Sequence, residues 1–243
     1  MLHKTRGIVF HVTPFSETSV VARIYTEQFG VQSYLINGVR NKKAKIKSGL
    51  LQPLSLLDMV VYHKERGGLQ RIKEMRPHLQ FTSIPFDVLK SSMVLFMNEV
   101  LYKSVKEEEA NQALFDFIFH TIRMLDLETA TNTDFHLRFL VQLTKYLGFF
   151  PDGNYSSSTS VFDLQEGSFL PAEPAHPYFI APPLSLHFDK LVNPERGELI
   201  HEASAISTSQ KRELIEKLLQ YYALHLTGFG GIHSNKVLEE VWS

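Results

Sequence analysis

The sequence predicts an α+β protein, a small β-barrel followed by an α-helical region, and three observations lead there. Hydrophobic residues alternate with period 2 as far as Met75 and recur with period 3.6 from about Asp87 onward. Charge divides at nearly the same place: residues 1–80 hold thirteen Lys and Arg against five Asp and Glu, while residues 81–243 hold twelve against twenty-one. The net charge of -1 therefore conceals a cationic front and an anionic remainder. Cysteine is absent, which removes disulfides, thiolate nucleophiles and cysteine-ligated zinc.

The front reads as five short strands rich in Val, Ile, Tyr and Phe: Gly7 to Val12, Ser19 to Thr26, Val31 to Ile36, Leu54 to Tyr62 and Leu69 to Met75. Breaks fall at Pro14, Gly30, Asn37-Gly38 and Gly67-Gly68. No helical period separates them. Five strands in about seventy residues fit a small antiparallel barrel or sandwich, and a five-stranded oligonucleotide-binding (OB) barrel has this size and count. Residues 1–80 are expected as that domain and residues 81–243 as the helical one.

Pro77 to Pro85 looks like a linker. A first helix opens near Pro85 and Asp87 and stacks Leu89, Met93, Phe96, Val100 and Leu101 on one stripe. A second carries Leu114, Phe115, Ile118, Phe119, Ile122 and Leu125. The third follows an N-cap at Asn132 or Thr133, aligns Phe135, Phe139, Leu143 and Leu147, and stops at Gly148. Their aromatic stripes recur at the spacing that buries one helix face, which identifies core and not a ligand box. Residues 151–183 turn to Ser, Gly and Pro, with one hairpin through Val161 to Leu164 and Phe169 to Leu170. The chain closes with a helix capped near Thr208 or Ser209, a Gly-rich turn, and a last helix from Ser234.

No catalytic constellation emerges. His201-Glu202 lacks the second histidine of a zinc-protease helix, and the Gly228 to Gly231 turn lacks the Lys-Ser/Thr ending of a phosphate loop. Glu107, Glu108 and Glu109 point in different directions if helical and are poorly placed to share a metal. A binding protein, not an enzyme, is expected. The N-terminus is too polar for a signal peptide, and no apolar run approaches the roughly 18 residues of a membrane span. That predicts a soluble, cytoplasmic chain with no membrane association.

The stretch Asn37 to Lys47 places Arg40, Lys42, Lys43, Lys45 and Lys47 between two strands, and no acid occurs from Gln28 to Leu57. Alone, such a run is a solvated loop or an anion site. Arg71 and Lys73 project from one side of a strand if alternation is strict, and Tyr34 stands just before the basic run. On a closed barrel these residues make a cationic groove of the kind that binds single-stranded nucleic acid. For Tyr34, barrel core is an equal reading; for Arg71 and Lys73 the alternative is a solvated strand face.

The pieces Gly7-Ile8-Val9-Phe10, Ser16-Glu17-Thr18-Ser19, Asn37-Gly38-Val39-Arg40, Leu51-Gln52-Pro53-Leu54, Tyr146-Leu147-Gly148-Phe149-Phe150-Pro151 and Ser234-Asn235-Lys236-Val237-Leu238 together resemble the RecO family of DNA-repair proteins. The resemblance implies an OB domain followed by a helical domain. It implies a recombination mediator that binds single- and double-stranded DNA, anneals complementary strands, and helps load RecA. The implied partners are RecR and the acidic C-terminal tail of single-stranded DNA-binding protein (SSB). Many relatives bind zinc through cysteines in the segment matching residues 151–183. This chain has none, so no zinc is expected, and the segment becomes a metal-free loop region held by Phe162, Phe169, Tyr178 and Phe179. Arg138 and Lys145 share a polar stripe of the third helix and are either a dock for the SSB tail or plain solvated surface. The rival to DNA binding is a protein-interaction scaffold whose barrel takes a protein partner.

Overall fold

Glycine at position 7 shows how tightly the front of the chain is wound. A side-chain Cβ there would stand 2.5 Å from Met59 Cε and 2.8 Å from Ile24 Cγ2, inside a closed barrel. The computed structural model describes residues 1–39, 46–64, 67–129, 134–194 and 207–241. It divides into two units, Met1–Thr129 and Ala130–Ser243.

The first unit holds strands β1 (Leu2–Pro14), β2 (Val20–Thr26), β3 (Gly30–Ile36), β4 (Leu56–Tyr62) and β5 (Gln70–Pro77), joined around a barrel in the order β1-β2-β3-β5-β4 and back to β1. This is the five-stranded OB arrangement. β1 serves two neighbours, pairing β4 through Leu2–Ile8 and β2 through Gly7–Pro14, and a register shift between Val9 and His11 turns it from one to the other. All pairings are antiparallel except that of β3 with β5, where Tyr34 faces Gln70 and Leu35 faces Arg71. Val9, Ala22, Ile24, Tyr34, Ile36, Leu57, Met59 and Val61 fill the interior.

The centre of β1, Gly7 to Phe10, reads as an apolar run because both its faces are covered there. Ile8, Phe10 and Tyr25 point away from Val9 and Ile24 yet are also buried. Helix α1 (Val88–Ser104) and helix α2 (Gln112–Leu127) supply the cover. Asn98 Nδ2 donates to the Phe10 carbonyl at 2.9 Å, Tyr25 OH donates to the Asn111 carbonyl at 3.3 Å, and the Tyr25, Phe115 and Phe119 rings stack in series. Each helix starts on a side-chain cap, Asp87 accepting from the Lys90 N–H and Asn111 from that of Leu114. The connection between the helices lies on β3, where the Val31 N–H donates to the Glu107 carbonyl. Gly30, at φ +61°, passes so close to Glu107 and Glu109 that no Cβ fits.

The stretch that resembles a linker is pinned. Asp126 accepts backbone N–H groups from Thr82, Ser83 and Ile84. Burial raises its carboxyl pKa, but those bonds outweigh burial and hold it below the ordinary value. The buried Lys90 donates to Ser83 Oγ at 2.7 Å.

In the second unit, helix α3 (Phe135–Leu147) ends where Gly148 takes φ +86°. Strands β6 (Val161–Asp163), β7 (Ser168–Leu170) and β8 (Phe179–Ile180) form a small sheet in the order β7-β6-β8. Helix α4 (Leu184–Val192), which the sequence reading does not anticipate, is short and follows two prolines. Helix α5 (Thr208–His225) opens on a reciprocal Ser207–Gln210 cap, and helix α6 (Asn235–Val241) follows. The caps expected at Asn132 or Thr133 lie outside the described residues, and the cap expected at Thr208 or Ser209 is corrected to Ser207. Phe162 is the hub of the sheet's packing, with its ring 5.1 Å from Phe169, 4.5 Å from Phe188 and 5.8 Å from Tyr221. The Tyr221 and Tyr222 hydroxyls donate to the carbonyls of Phe149 and Leu140, so their burial leaves no donor unmet.

Arg6 ties α2 to the barrel, its guanidinium 2.7 Å from Glu27 and 3.1 Å from Asp116 and lying over the Phe115 and Phe119 rings. The Arg6 hydrogen bonds hold the Glu27 carboxyl below the ordinary range, against the opposing effect of burial. A carboxyl depressed in the folded state stabilises fully above its unfolded value of about 4.3, and that contribution disappears as pH falls through the lower folded value. The gap in urea midpoint between wild type and Glu27→Gln is therefore expected to be largest near neutrality and to shrink below about pH 4. A gap that stays constant from neutral to acid pH would contradict this role for the pair.

Candidate nucleic-acid interface

The ends of the basic stretch are fixed to the barrel. Val39 is buried in its core, and Ile46 and Leu50 pack against that core. Arg40, Lys42, Lys43 and Lys45 lie outside the described residues; Lys47 is described and exposed. Because β3 runs parallel to β5 with Leu35 beside Arg71, the chain leaves β3 toward the basic stretch at Ile36, one residue past the neighbour of Arg71.

Tyr34 does not belong to this surface. Its ring is fully buried among the barrel's core side chains, and burial pushes its phenol pKa up. No base reaches it while the barrel is closed, so of the two readings of Tyr34 the core one holds and its place in a groove is withdrawn.

Arg71 is exposed on β5 as alternation predicts. Lys73 is also exposed, for another reason. Val60 pairs with Glu74 and Val61 with Ile72, which leaves Lys73 as the extra residue of a bulge and breaks the strict alternation. It sits 3.7 Å from Glu74, which offsets part of its charge.

Sequence reasoning missed Tyr62 and Lys64. Leu57, Met59 and Val61 of β4 face the core, so Asp58, Val60 and Tyr62 face outward, and Tyr62 pairs across the strands with Arg71. Asp58 carried the signal: a carboxylate on a barrel strand marks the outer face, and Tyr62 shares its parity. Gln70, 1% exposed, accepts the Lys64 N–H and donates to the Lys64 carbonyl, so its buried amide fixes the start of the β4–β5 turn.

Several cations of the front are already occupied. Arg6 belongs to Glu27 and Asp116, and Arg76 to Asp58, which also meets His78 at 2.8 Å. Among the described residues Lys4, Arg23, Lys47, Lys64 and Arg71 make no ion pair. Arg23 instead lies over the Tyr102 ring, on which His11 stacks.

Three clefts on this unit differ in what they can hold. One of about 660 Å³ sets Lys4, Arg6 and Arg76 against Glu27, Asp58 and Glu74, a mixture that repels as much anion as it attracts. Another of about 710 Å³ is walled by Leu50, Pro53, Phe81, Ile84 and Phe86 and offers no cation. The third, about 380 Å³, is lined by Tyr62, Lys64, Leu69, Gln70 and Arg71. It alone of the three combines two cations with an aromatic ring and no carboxylate among its lining residues.

In the second unit Arg138 and Lys145 are exposed on α3 and Gln142 between them is half-buried, so the stripe faces solvent as expected. Within the segment at 151–183, Asp163 and His176 lie side by side. Asp163 is committed to the N–H groups of Gln165 and Glu166, and its partner His176 is 3.3 Å away. Among the described residues no group of three His, Cys, Asp or Glu is placed to hold a metal ion. Phe162 and Phe169 are buried there, whereas Phe179 is half-buried and Tyr178 is exposed.

Comparison with known proteins bears on this geometry. Residues 1–81 match the model described as Recombination protein O N terminal, and residues 85–231 match Recombination protein O C terminal. The chain belongs to the RecO family. A relative from Bacteroides fragilis is 35% identical over 243 residues, covering 100% of both chains; one from Flavobacterium psychrophilum is 33% identical over 245 residues, covering 99% of each. A third, from Azobacteroides pseudotrichonymphae, is 30% identical over 242 residues and 100% of both chains. All three carry the name DNA repair protein RecO. This RecO-family chain thus joins a closed five-stranded barrel to a helical region, within a family of DNA repair proteins. None of its helices, among the described residues, is long and apolar enough to cross a membrane.

Proposed function

We propose that this chain is a non-catalytic, DNA-binding recombination mediator. It binds single- and double-stranded DNA, anneals complementary strands, and loads RecA together with RecR. The reading is supported by the described ends of the basic stretch, Val39 and Ile46, which pack in and against the core of the same barrel whose β5 carries Arg71, a cation with no ion pair among the described residues. Annealing makes no covalent bond. It requires only a surface that holds two anionic strands while counterions are released, which Lys and Arg supply.

If Arg40, Lys42, Lys43, Lys45 and Lys47 each meet one phosphate of a single strand, log K falls with log salt at a slope of about -3.5, from roughly 0.7 per contact. Replacing Lys42, Lys43, Lys45 and Lys47 by Ala is expected to flatten that slope by about two units or more and to slow annealing. Anisotropy of a labelled single-stranded oligonucleotide across a salt series measures it, and unchanged affinity and slope would reject the reading. A barrel that serves only as a protein scaffold shows little salt-dependent binding in the same titration.

The SSB tail ends in acids and an apolar residue, and Arg138 and Lys145 are the free cations on α3 assigned to it. Titrating a tail peptide into wild type and an Arg138→Glu, Lys145→Glu variant is expected to show weaker binding by the variant; equal affinities would remove this dock.

The 151–183 segment takes no zinc in this reading, because aromatic packing around Phe162 holds it. Purified protein is expected to contain no stoichiometric zinc and to keep its Tm in a chelator, while Phe162→Ala lowers stability by about 3–5 kcal/mol. A Tm lowered by chelation would overturn the assignment.

A further inference from the structure

We propose that Tyr62, flanked by Lys64 and Arg71, forms a stacking seat for a single unpaired nucleobase; the inference rests on the DNA-binding reading above and gives it a strand-discriminating residue.

Tyr62 is the last residue of β4 and 44% exposed, pointing outward where Val61 points in. Its strand neighbours are Arg71 of β5 and Leu2 of β1, and Leu2 is 45% exposed. A strand-end tyrosine in solvent is ordinary. This one lines a cleft with Leu69, 45% exposed, and with Lys64 and Arg71, neither of which makes an ion pair among the described residues. The site is built and not incidental. Gln70 is buried, and both ends of its amide are bonded to Lys64, so the residues on either side of it, Leu69 and Arg71, and the backbone of Lys64 are fixed relative to the ring.

The chemistry selects the ligand. Two cations with no carboxylate among the described lining residues call for phosphates, and an aromatic ring beside them calls for a flat, apolar surface. A nucleotide in a single strand offers both. A paired base in a duplex is already stacked on both faces, so the phosphates of a duplex can meet Lys64 and Arg71 while its bases cannot use Tyr62. The ring therefore adds affinity for single strands alone, and the cations serve either form.

The test uses the full chain, a labelled oligothymidine, and an abasic oligonucleotide of equal length, which keeps the phosphates and lacks the bases. Tyr62→Leu is expected to weaken binding of oligothymidine about tenfold while leaving abasic binding and both salt slopes unchanged. Tyr62→Phe keeps wild-type affinity for both, because the ring and not the hydroxyl stacks. Arg71→Ala weakens both ligands and flattens both slopes by about 0.7. If wild type binds both oligonucleotides and Tyr62→Leu changes neither, or weakens both alike, the stacking seat is overturned while DNA binding stands. If wild type binds neither, DNA binding itself is overturned and the seat with it.

Discussion

Closure of the barrel is the constraint on which the rest of the first unit depends, and it rests on its shortest ladder. β3 and β5 meet in parallel over two pairs, Tyr34 with Gln70 and Leu35 with Arg71. Without that seam β3 and β5 would present open edges. With it, residues about 36 apart in sequence become neighbours. The same contact sends Tyr34 inward, Arg71 outward, and the chain after Ile36 past the end of the seam. Gly7 and the β1 register shift are the complementary requirement: β1 must bend between β4 and β2, and at its closest approach to Met59 and Ile24 only a hydrogen fits.

Electrostatics then sorts the cations that composition merely counts. Thirteen basic residues in the first eighty look like one reservoir for a polyanion. The folded chain divides them. Arg6 and Arg76 are held by Glu27, Asp116 and Asp58, and Asp116 arrives from α2, well beyond the cationic stretch. These pairs bind elements together and have little charge left for a ligand. Lys64 and Arg71, at the seam and the β4–β5 turn, keep theirs. Position in the topology, more than abundance, decides which cation is available.

Much of this was legible in the sequence because local periodicity is physical. Five short apolar runs with Gly, Asn and Pro breaks read as strands, and the i, i+3, i+4 stripes of α1 and α2 follow their buried faces, while on α3 Phe139 and Leu143 are buried and Phe135 and Leu147 half-buried. Alternation also separates the two faces of each strand, but it does not say which face is inside. That is why Tyr34 had two readings and why Tyr62, whose outward parity is marked by Asp58, went unread. Lys73 is exposed as expected but not through strict alternation: a bulge inserts one residue into the count and leaves no mark in the local sequence. Helix α4 was missed because nine residues behind two prolines give too short a stripe. The pinned stretch from Pro77 to Pro85 reads as a linker because its partner, Asp126, lies more than forty residues away.

The two kinds of contact proposed for this unit have different consequences for the proposed annealing. Phosphate contacts hold any strand, paired or not, and strengthen as salt falls. A ring that takes one base competes with the complementary strand for that base, and stacking on it, about 1–3 kcal/mol per base, is of the same order as a duplex step at about 1.4 kcal/mol. One such seat per barrel is weak enough for the growing duplex to withdraw its base, whereas a row of them would trap the strand unpaired. In the described barrel the other tyrosines of β2 and β3, Tyr25 and Tyr34, are buried. Burying those rings and exposing Tyr62 beside Lys64 and Arg71 suits the annealing proposed for this surface, which gathers a strand and then lets it pair.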